Sequence, residues 1–144
     1  MAIILGTLAA AIFILYSLYF VRILKGTYQA FEQELLAALA DWMISVGAAA
    51  RRQSWYLIIA AVLLEIFYFV LTFLVIDNLL LLAFTGAMVL LETLHIFSMI
   101  NNFAKFFKGT IVLKQLFEWR VERISAVVFF THSFLVLACL LFFS

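Results

Sequence analysis

The stretch Leu79–Ile100, LLLLAFTGAMVLLETLHIFSMI, decides the fold class of this chain. It is as long as the ~20 predominantly apolar residues that a helix needs to cross a bilayer core. Glu92 and His95 are its only ionisable residues. Because lipid offers no hydrogen bonds, a chain that crosses it must satisfy its own backbone polar groups, and a helix does so. The stretch therefore predicts a membrane-spanning helix with two polar groups on one face.

The composition of the whole chain supports the same environment. Of its 144 residues, 69% are hydrophobic and 12% are charged, with seventeen phenylalanines and no proline. A soluble domain is about half apolar and about a quarter charged, and one of this size could not bury so much apolar surface. The net charge of +1 excludes a large basic surface for nucleic acid. The single cysteine excludes an internal disulfide.

Four segments are long enough and apolar enough to span a bilayer. They are residues 2–21, 55–76, 79–100 and 124–143. The first segment has its basic residues after it rather than before it, so we interpret it as a retained helix and not a signal peptide. We predict an all-α, polytopic membrane protein, a single domain over residues 1–144, whose four spans form an antiparallel bundle.

The basic residues predict the orientation of these spans. All nine Lys and Arg residues lie within 22–25, 51–52 and 105–123, which four spans place on one side of the membrane. The turn on the other side contains Asp77 and Asn78 and no base. Because basic connections stay in the cytoplasm, we expect both termini outside, both long connections inside, and a location in the cytoplasmic (inner) membrane.

The connection over residues 27–50 is predicted to be an amphipathic cytoplasmic helix. Its apolar residues recur every three or four positions and form a candidate partner surface. These residues are Tyr28, Phe31, Leu35, Leu39, Trp42 and Val46. The helix carries three acids and no base, the wrong sign for binding an anionic lipid surface.

The second connection, residues 101–123, has the opposite charge, with five bases and two acids. The charges predict that the two connections dock on each other. The alternative is that each lies in the membrane interface with its charges solvated, since exposed ion pairs contribute only about 0–1 kcal/mol.

The spans themselves carry four ionisable residues: Glu65, Glu92, His95 and His132. A charge at this depth costs at least ~2.5–3.5 kcal/mol, so such residues usually face the bundle interior and have a role. A rise of ~1.5 Å per residue places them roughly 8–16 Å from the cytoplasmic ends of the spans. We therefore predict a single Glu/His cluster.

Several polar or sulfur-containing residues share the helix faces of this cluster and are candidates for supporting contacts. They are Thr72, Thr85, Met88, Met99, Ser125 and Cys139. Hydroxyls in such positions commonly bond to their own helix backbone, and methionines commonly fill packing space.

Four functions fit the cluster. Glutamate and histidine can load and release protons or hold a small cation. Glu92-x-x-His95 supplies two ligands for a single metal ion. His95 and His132 could ligate one b-type haem from opposite sides. The fourth interpretation is that the polar pairs only fix the packing of the helices.

Our leading prediction is a small integral membrane protein that handles protons or a small cation, as a homo-oligomer or as a subunit of a larger membrane complex. The alternatives are a metal- or haem-binding redox subunit, or a structural accessory subunit whose helix over residues 27–50 binds a partner. No phosphate-binding loop, nucleophile elbow or HExxH motif occurs. We therefore expect no independent enzyme activity.

Overall fold

A computed structural model of the chain describes residues 1–143, and its regular elements are all helical. The five α-helices are α1 (Ala2–Leu24), α2 (Tyr28–Val46), α3 (Ala50–Val75), α4 (Leu79–Phe107) and α5 (Trp119–Phe142). Short 3₁₀ turns occupy Gly47–Ala49 and Leu113–Gln115. Within the described residues there is no strand, so the all-α prediction is confirmed.

Four helical stretches are long and apolar enough to cross a membrane, as predicted. They are α1, the stretch Tyr28–Val75 that contains α2 and α3, α4, and α5. Many of their large apolar side chains point away from the rest of the protein, among them Leu80, Leu94 and Phe97 of α4. In water such a surface would aggregate, whereas in a bilayer it contacts lipid.

The helices extend beyond the predicted apolar spans at the base-rich ends. Helix α3 begins five residues before Trp55, α4 continues seven residues past Ile100, and α5 begins five residues before Ile124. The predicted bounds followed hydropathy, which marks the edge of the lipid. Backbone hydrogen bonds of a helix do not end at that edge, so polar residues extend these helices.

Glycine determines two of the helix ends. Helix α2 ends at Val46, before the predicted limit at Ala50, because Gly47 adopts φ 67°. Gly109, with φ 78°, follows the end of α4 at Phe107 in the same way. This left-handed conformation is accessible to glycine at little cost and is a common helix terminator.

Helix α1 packs along α5 mainly through aromatic rings. The ring of Phe130 stacks on Phe13 and Phe20 at centroid distances of 4.8 and 4.1 Å, and Tyr16 stacks on Phe129 at 5.1 Å. Offset stacks of this kind add about 0.5–1.5 kcal/mol each beyond the burial of their area.

Two apolar clusters form the interior. The larger one joins α1, α3, α4 and α5, and its fully buried residues include Leu5, Tyr68, Met88, Phe129 and Val136. The smaller one, at the base-rich end, joins Ile58 of α3, Phe103 of α4 and Leu116 of the α4–α5 connection. This second cluster holds the connection against the helices and positions the start of α5.

Helix α2 docks on the rest of the chain through charge as well as apolar contact. Glu32 is buried and lies 3.1 Å from Nε of Arg123, whose guanidinium lies over the ring of Tyr28 at 4.4 Å. The hydroxyl of Tyr19 donates to the same Glu32 carboxylate at 2.6 Å. Of the two interpretations from the sequence, docking of the acidic helix on the basic segment is therefore the one that occurs.

Candidate functional site: a carboxylate–imidazole–carboxylate triad

Glu92, His95 and Glu122 form a hydrogen-bonded triad between α4 and α5. His95 Nδ1 lies 2.9 Å from Glu92 Oε2, and His95 Nε2 lies 2.7 Å from Glu122 Oε1. Ser125 donates to the other oxygen of Glu92 at 2.7 Å. Three-residue spacing puts Glu92 and His95 on one face of α4, and Glu122 and Ser125 on the facing side of α5.

The triad runs from the interior toward the outside of the protein. The exposed fractions of the side chains rise from 2% for Glu92 to 12% for His95 and 22% for Glu122. Glu122 lies in the first turn of α5, beside the basic residues Arg120 and Arg123. The three groups thus make a continuous polar path from the start of α5 to a buried carboxylate.

The geometry of His95 requires protons in this path. A doubly protonated ring donates to both carboxylates, whereas a neutral ring donates to only one. In the neutral case the other carboxyl must carry the proton and donate it to the ring. A proton can therefore occupy either side of the imidazole without any change in the positions of the heavy atoms.

His132 belongs to a separate network in the core. Its Nδ1 lies 2.7 Å from the hydroxyl of Tyr68, and its Nε2 lies 2.8 Å from the hydroxyl of Thr85. Thr85 donates to the carbonyl of Leu81 at 2.7 Å, so it accepts from Nε2–H. Nδ1 then accepts from Tyr68, and an uncharged ring satisfies every bond. The network joins α3, α4 and α5.

Glu65 lies apart from both networks in its hydrogen bonding. It lines a cavity between α1 and α3, and its Oε2 is buried without a hydrogen-bond partner among residues 1–143. Hydrogen bonds thus connect two of the four predicted site residues, Glu92 and His95, directly to each other. His132 and Glu65 each have different surroundings.

The predicted supporting residues divide between the networks and the core. Ser125 contacts Glu92, and Thr85 contacts His132, while Thr72 donates only to the backbone carbonyl of Tyr68. Met88 is buried in the larger apolar cluster, Met99 packs against the smaller one, and Cys139 is half-buried beside the larger one.

The surroundings of the two histidines bear on the metal and haem alternatives. Each ring has both nitrogens within hydrogen-bond distance of a protein side chain. An iron or another metal ion would have to break one of these bonds on each histidine that it binds. Across residues 1–143, no group of three or more His, Cys, Asp or Glu side chains is arranged to hold a metal ion.

Two residues of the networks, Glu122 and Tyr68, are not among the predicted site residues. Glu122 lies in the predicted connection over residues 101–123, and its spacing of three from Ser125 and ten from His132 places all three on one helical face. Extending α5 by one turn would have revealed it. Tyr68 has the same spacing of three from Glu65, so it also lies on the helix face of a predicted site residue.

Most residues of the predicted partner surface of α2 are half-buried against other parts of the same chain. Tyr28 lies under Arg123, Phe31 lies 5.0 Å from the ring of Tyr19, and Leu39 packs against the smaller apolar cluster. Trp42 and Val46 are half-buried, and Leu35 is exposed. Whether any of this surface binds a partner stays a prediction.

Comparison with protein family models, with characterised proteins and with solved structures finds no match for this chain. Function is therefore inferred from the triad of Glu92, His95 and Glu122, from the network around His132 and from the cavity beside Glu65.

Proposed function

We propose that this chain is a small integral membrane protein that handles protons, and that Glu92, His95 and Glu122 move them between the membrane surface and the interior. The observation that carries the proposal is the position of His95, whose two ring nitrogens each lie within hydrogen-bond distance of a carboxylate oxygen. We further propose that it works as an oligomer or as a subunit of a larger complex.

The step between the membrane surface and the interior needs only the groups in the triad. Glu122, the most exposed member, takes up a proton from the solvent near the start of α5 and passes it to Nε2 of His95. The ring then releases the proton on Nδ1 to Oε2 of Glu92, and Ser125 holds the other oxygen of that carboxyl. Reorientation of the ring then restores the starting tautomer and leaves the transferred proton on Glu92. Histidine suits this role because it carries a separate proton site on each side of the ring.

The orientation of the helices gives the triad a direction. Gly6 of α1 lies beside Leu140 of α5, whereas Phe20 lies on Phe130, which supports an antiparallel pairing of these helices. We propose that the four spans form an antiparallel bundle with the base-rich connections and α2 on the cytoplasmic side. Glu122 is then the cytoplasmic end of the path, and both termini lie outside.

A flux measurement in liposomes tests the proposal. Purified protein is reconstituted with an enclosed pH-sensitive dye, and a potassium diffusion potential drives protons across the membrane. We expect proton entry above that of protein-free liposomes. Glu122→Gln and Glu92→Gln should each reduce the rate to the protein-free level, because glutamine cannot exchange a proton with the ring.

The matched control is Glu118→Gln, which removes an exposed acid one helical turn before Glu122 and outside the triad. It should leave the rate unchanged. The proposal fails if the wild-type protein conducts no protons, or if Glu92→Gln and Glu122→Gln behave like Glu118→Gln. In the second case, a lower unfolding temperature of the two variants would assign the triad to helix packing alone.

A further inference from the structure

A cavity of about 250 Å³ lies between α1 and α3, with Phe129 of α5 in its wall. Its walls are apolar apart from the side chains of Tyr16 and Glu65. The lining residues are Leu8, Ala11, Ile12, Leu15, Tyr16, Ala61, Leu64, Glu65 and Phe129. Two of them, Leu15 and Leu64, are exposed on the outer surface of their helices, so the cavity opens toward lipid.

Glu65 is the unexplained feature of this cavity. Its Oε2 is inaccessible to solvent and has no hydrogen-bond partner among the described residues. A buried carboxyl oxygen without a partner is unfavourable, and such groups in membrane spans usually have a function. The triad does not supply a partner, since the hydrogen bonds of Glu92 go to His95 and Ser125.

We propose that this cavity binds a small lipophilic organic cation that enters from the bilayer, with its charged group against Glu65. The cavity offers one acidic group and no basic residue, so its charge complements a single positive charge. Tyr16 and Phe129, stacked at 5.1 Å, add aromatic surface of the kind that attracts ammonium groups.

The size and polarity of the cavity restrict the ligand further. Its volume lies just below the range of about 300–1,000 Å³ that is usual for ligand pockets, which favours a single ring over a bulky ion. A calcium or magnesium ion requires six or more oxygen ligands, far more than one carboxyl and one phenol supply. An apolar body with a substituted ammonium group fits both the walls and the carboxyl.

Binding is measured with radiolabelled benzyltrimethylammonium and with neopentylbenzene, its neutral isostere of the same shape. The protein is held in nanodiscs of uncharged lipid, and empty nanodiscs correct for partition into the bilayer. We expect saturable binding of the cation and binding of the neutral isostere that is about tenfold or more weaker, because the isostere cannot pair with Glu65.

Four variants locate the site. Glu65→Gln removes the charge and Ala61→Leu fills the cavity one turn away, so both should abolish saturable binding. Glu34→Gln removes an exposed acid of α2 and should have no effect. Glu92→Gln should also leave binding intact, which separates this site from the proposed proton path.

Equal binding of the cation and the neutral isostere would overturn the proposal and assign the cavity to neutral amphiphiles. Retained binding in both Glu65→Gln and Ala61→Leu would overturn it as well. If Glu65→Gln fails to fold, Ala61→Leu and the comparison of the two ligands on the wild-type protein still decide the outcome.

Discussion

Thr85 connects His132 to the backbone of α4 through a single hydroxyl. Thr85→Val keeps the shape of the side chain but leaves Nε2–H of His132 without an acceptor in a fully buried position. We expect the free energy of unfolding to fall by about 1 kcal/mol, since polar bonds between helices in membranes are worth roughly 0.6 kcal/mol on average and an unpaired donor adds a further cost. Thermal unfolding in detergent measures the change.

Thr93 provides the matched control on the same helix. Its hydroxyl also donates to the backbone four residues earlier, at 2.7 Å, but its side chain is exposed and contacts no histidine. Thr93→Val should therefore shift the unfolding temperature less than Thr85→Val. Equal shifts would mean that the contact with His132 contributes nothing to stability.

Ser54 is a second buried polar group without a partner among residues 1–143. It lies near Trp42 and Phe103, where α2, α3 and α4 meet. Ser54→Ala removes a hydroxyl that no contact satisfies, so we expect stability to rise, by about 1 kcal/mol. A lower unfolding temperature for Ser54→Ala than for the wild-type protein would contradict this and indicate that the hydroxyl has a partner.

For single residues, the sequence predicts which faces of a helix are buried better than it predicts which side chains contact each other. The stripe Thr85, Met88 and Glu92 of α4 is buried as its spacing predicts, because helical periodicity fixes the angular position of every side chain. The pairing of His132 with Tyr68 depends on how α3 and α5 slide and rotate against each other. Periodicity within one helix carries no information on that register.

Helix α2 is held by Glu32, which accepts a hydrogen bond from Tyr19 of α1 and forms an ion pair with Arg123 of α5. Glu32→Gln removes the charge that both contacts share. Hydrogen bonds to charged groups contribute about 1.5–3 kcal/mol, so we expect α2 to open more often while the other helices stay protected. Hydrogen–deuterium exchange should show faster exchange over Tyr28–Val46 and unchanged exchange in α4.

Glu34→Gln is the control for this prediction, because Glu34 lies on the same helix, carries the same charge and is exposed. It should leave the exchange of α2 unchanged. If Glu32→Gln and Glu34→Gln behave alike, the apolar contacts of Leu39 with the smaller cluster hold α2 in place, and the ion pair contributes nothing measurable.

The docking of α2 was predictable from charge, but its contacts were not. Net charges of opposite sign indicated that the two connections attract each other. The charge of the helix does not indicate which of its three acids is buried, because an acid on an amphipathic helix is usually exposed. Burial of Glu32 becomes favourable only when its carboxylate contacts Tyr19 and Arg123. These residues belong to two other helices, which lie together only in the folded chain.

At the scale of the whole molecule, the polar groups are sorted by position along the bundle. The triad and the ion pair of Glu32 lie at the end where the basic residues gather, and the Asp77–Asn78 turn marks the opposite end. The helical structure of the described residues, and four stretches long and apolar enough to cross a membrane, followed from hydropathy, since lipid permits few alternatives. The proposed direction of the proton path depends on which of these ends faces the cytoplasm.

Labelling of single cysteines tests that orientation. The native Cys139 is first replaced by alanine, and a cysteine is then placed at Asp77 or at Lys108, both of which are exposed. In intact cells, a membrane-impermeant maleimide should label Asp77→Cys and not Lys108→Cys if the base-rich end faces the cytoplasm as proposed. Permeabilised cells should allow labelling of both variants. Labelling of Lys108→Cys in intact cells would reverse the orientation and place Glu122 on the outer side. The triad would then take up its protons from outside the cell. In vesicles of known orientation, Glu122 would be exposed on the opposite face, and the flux should depend on that face instead.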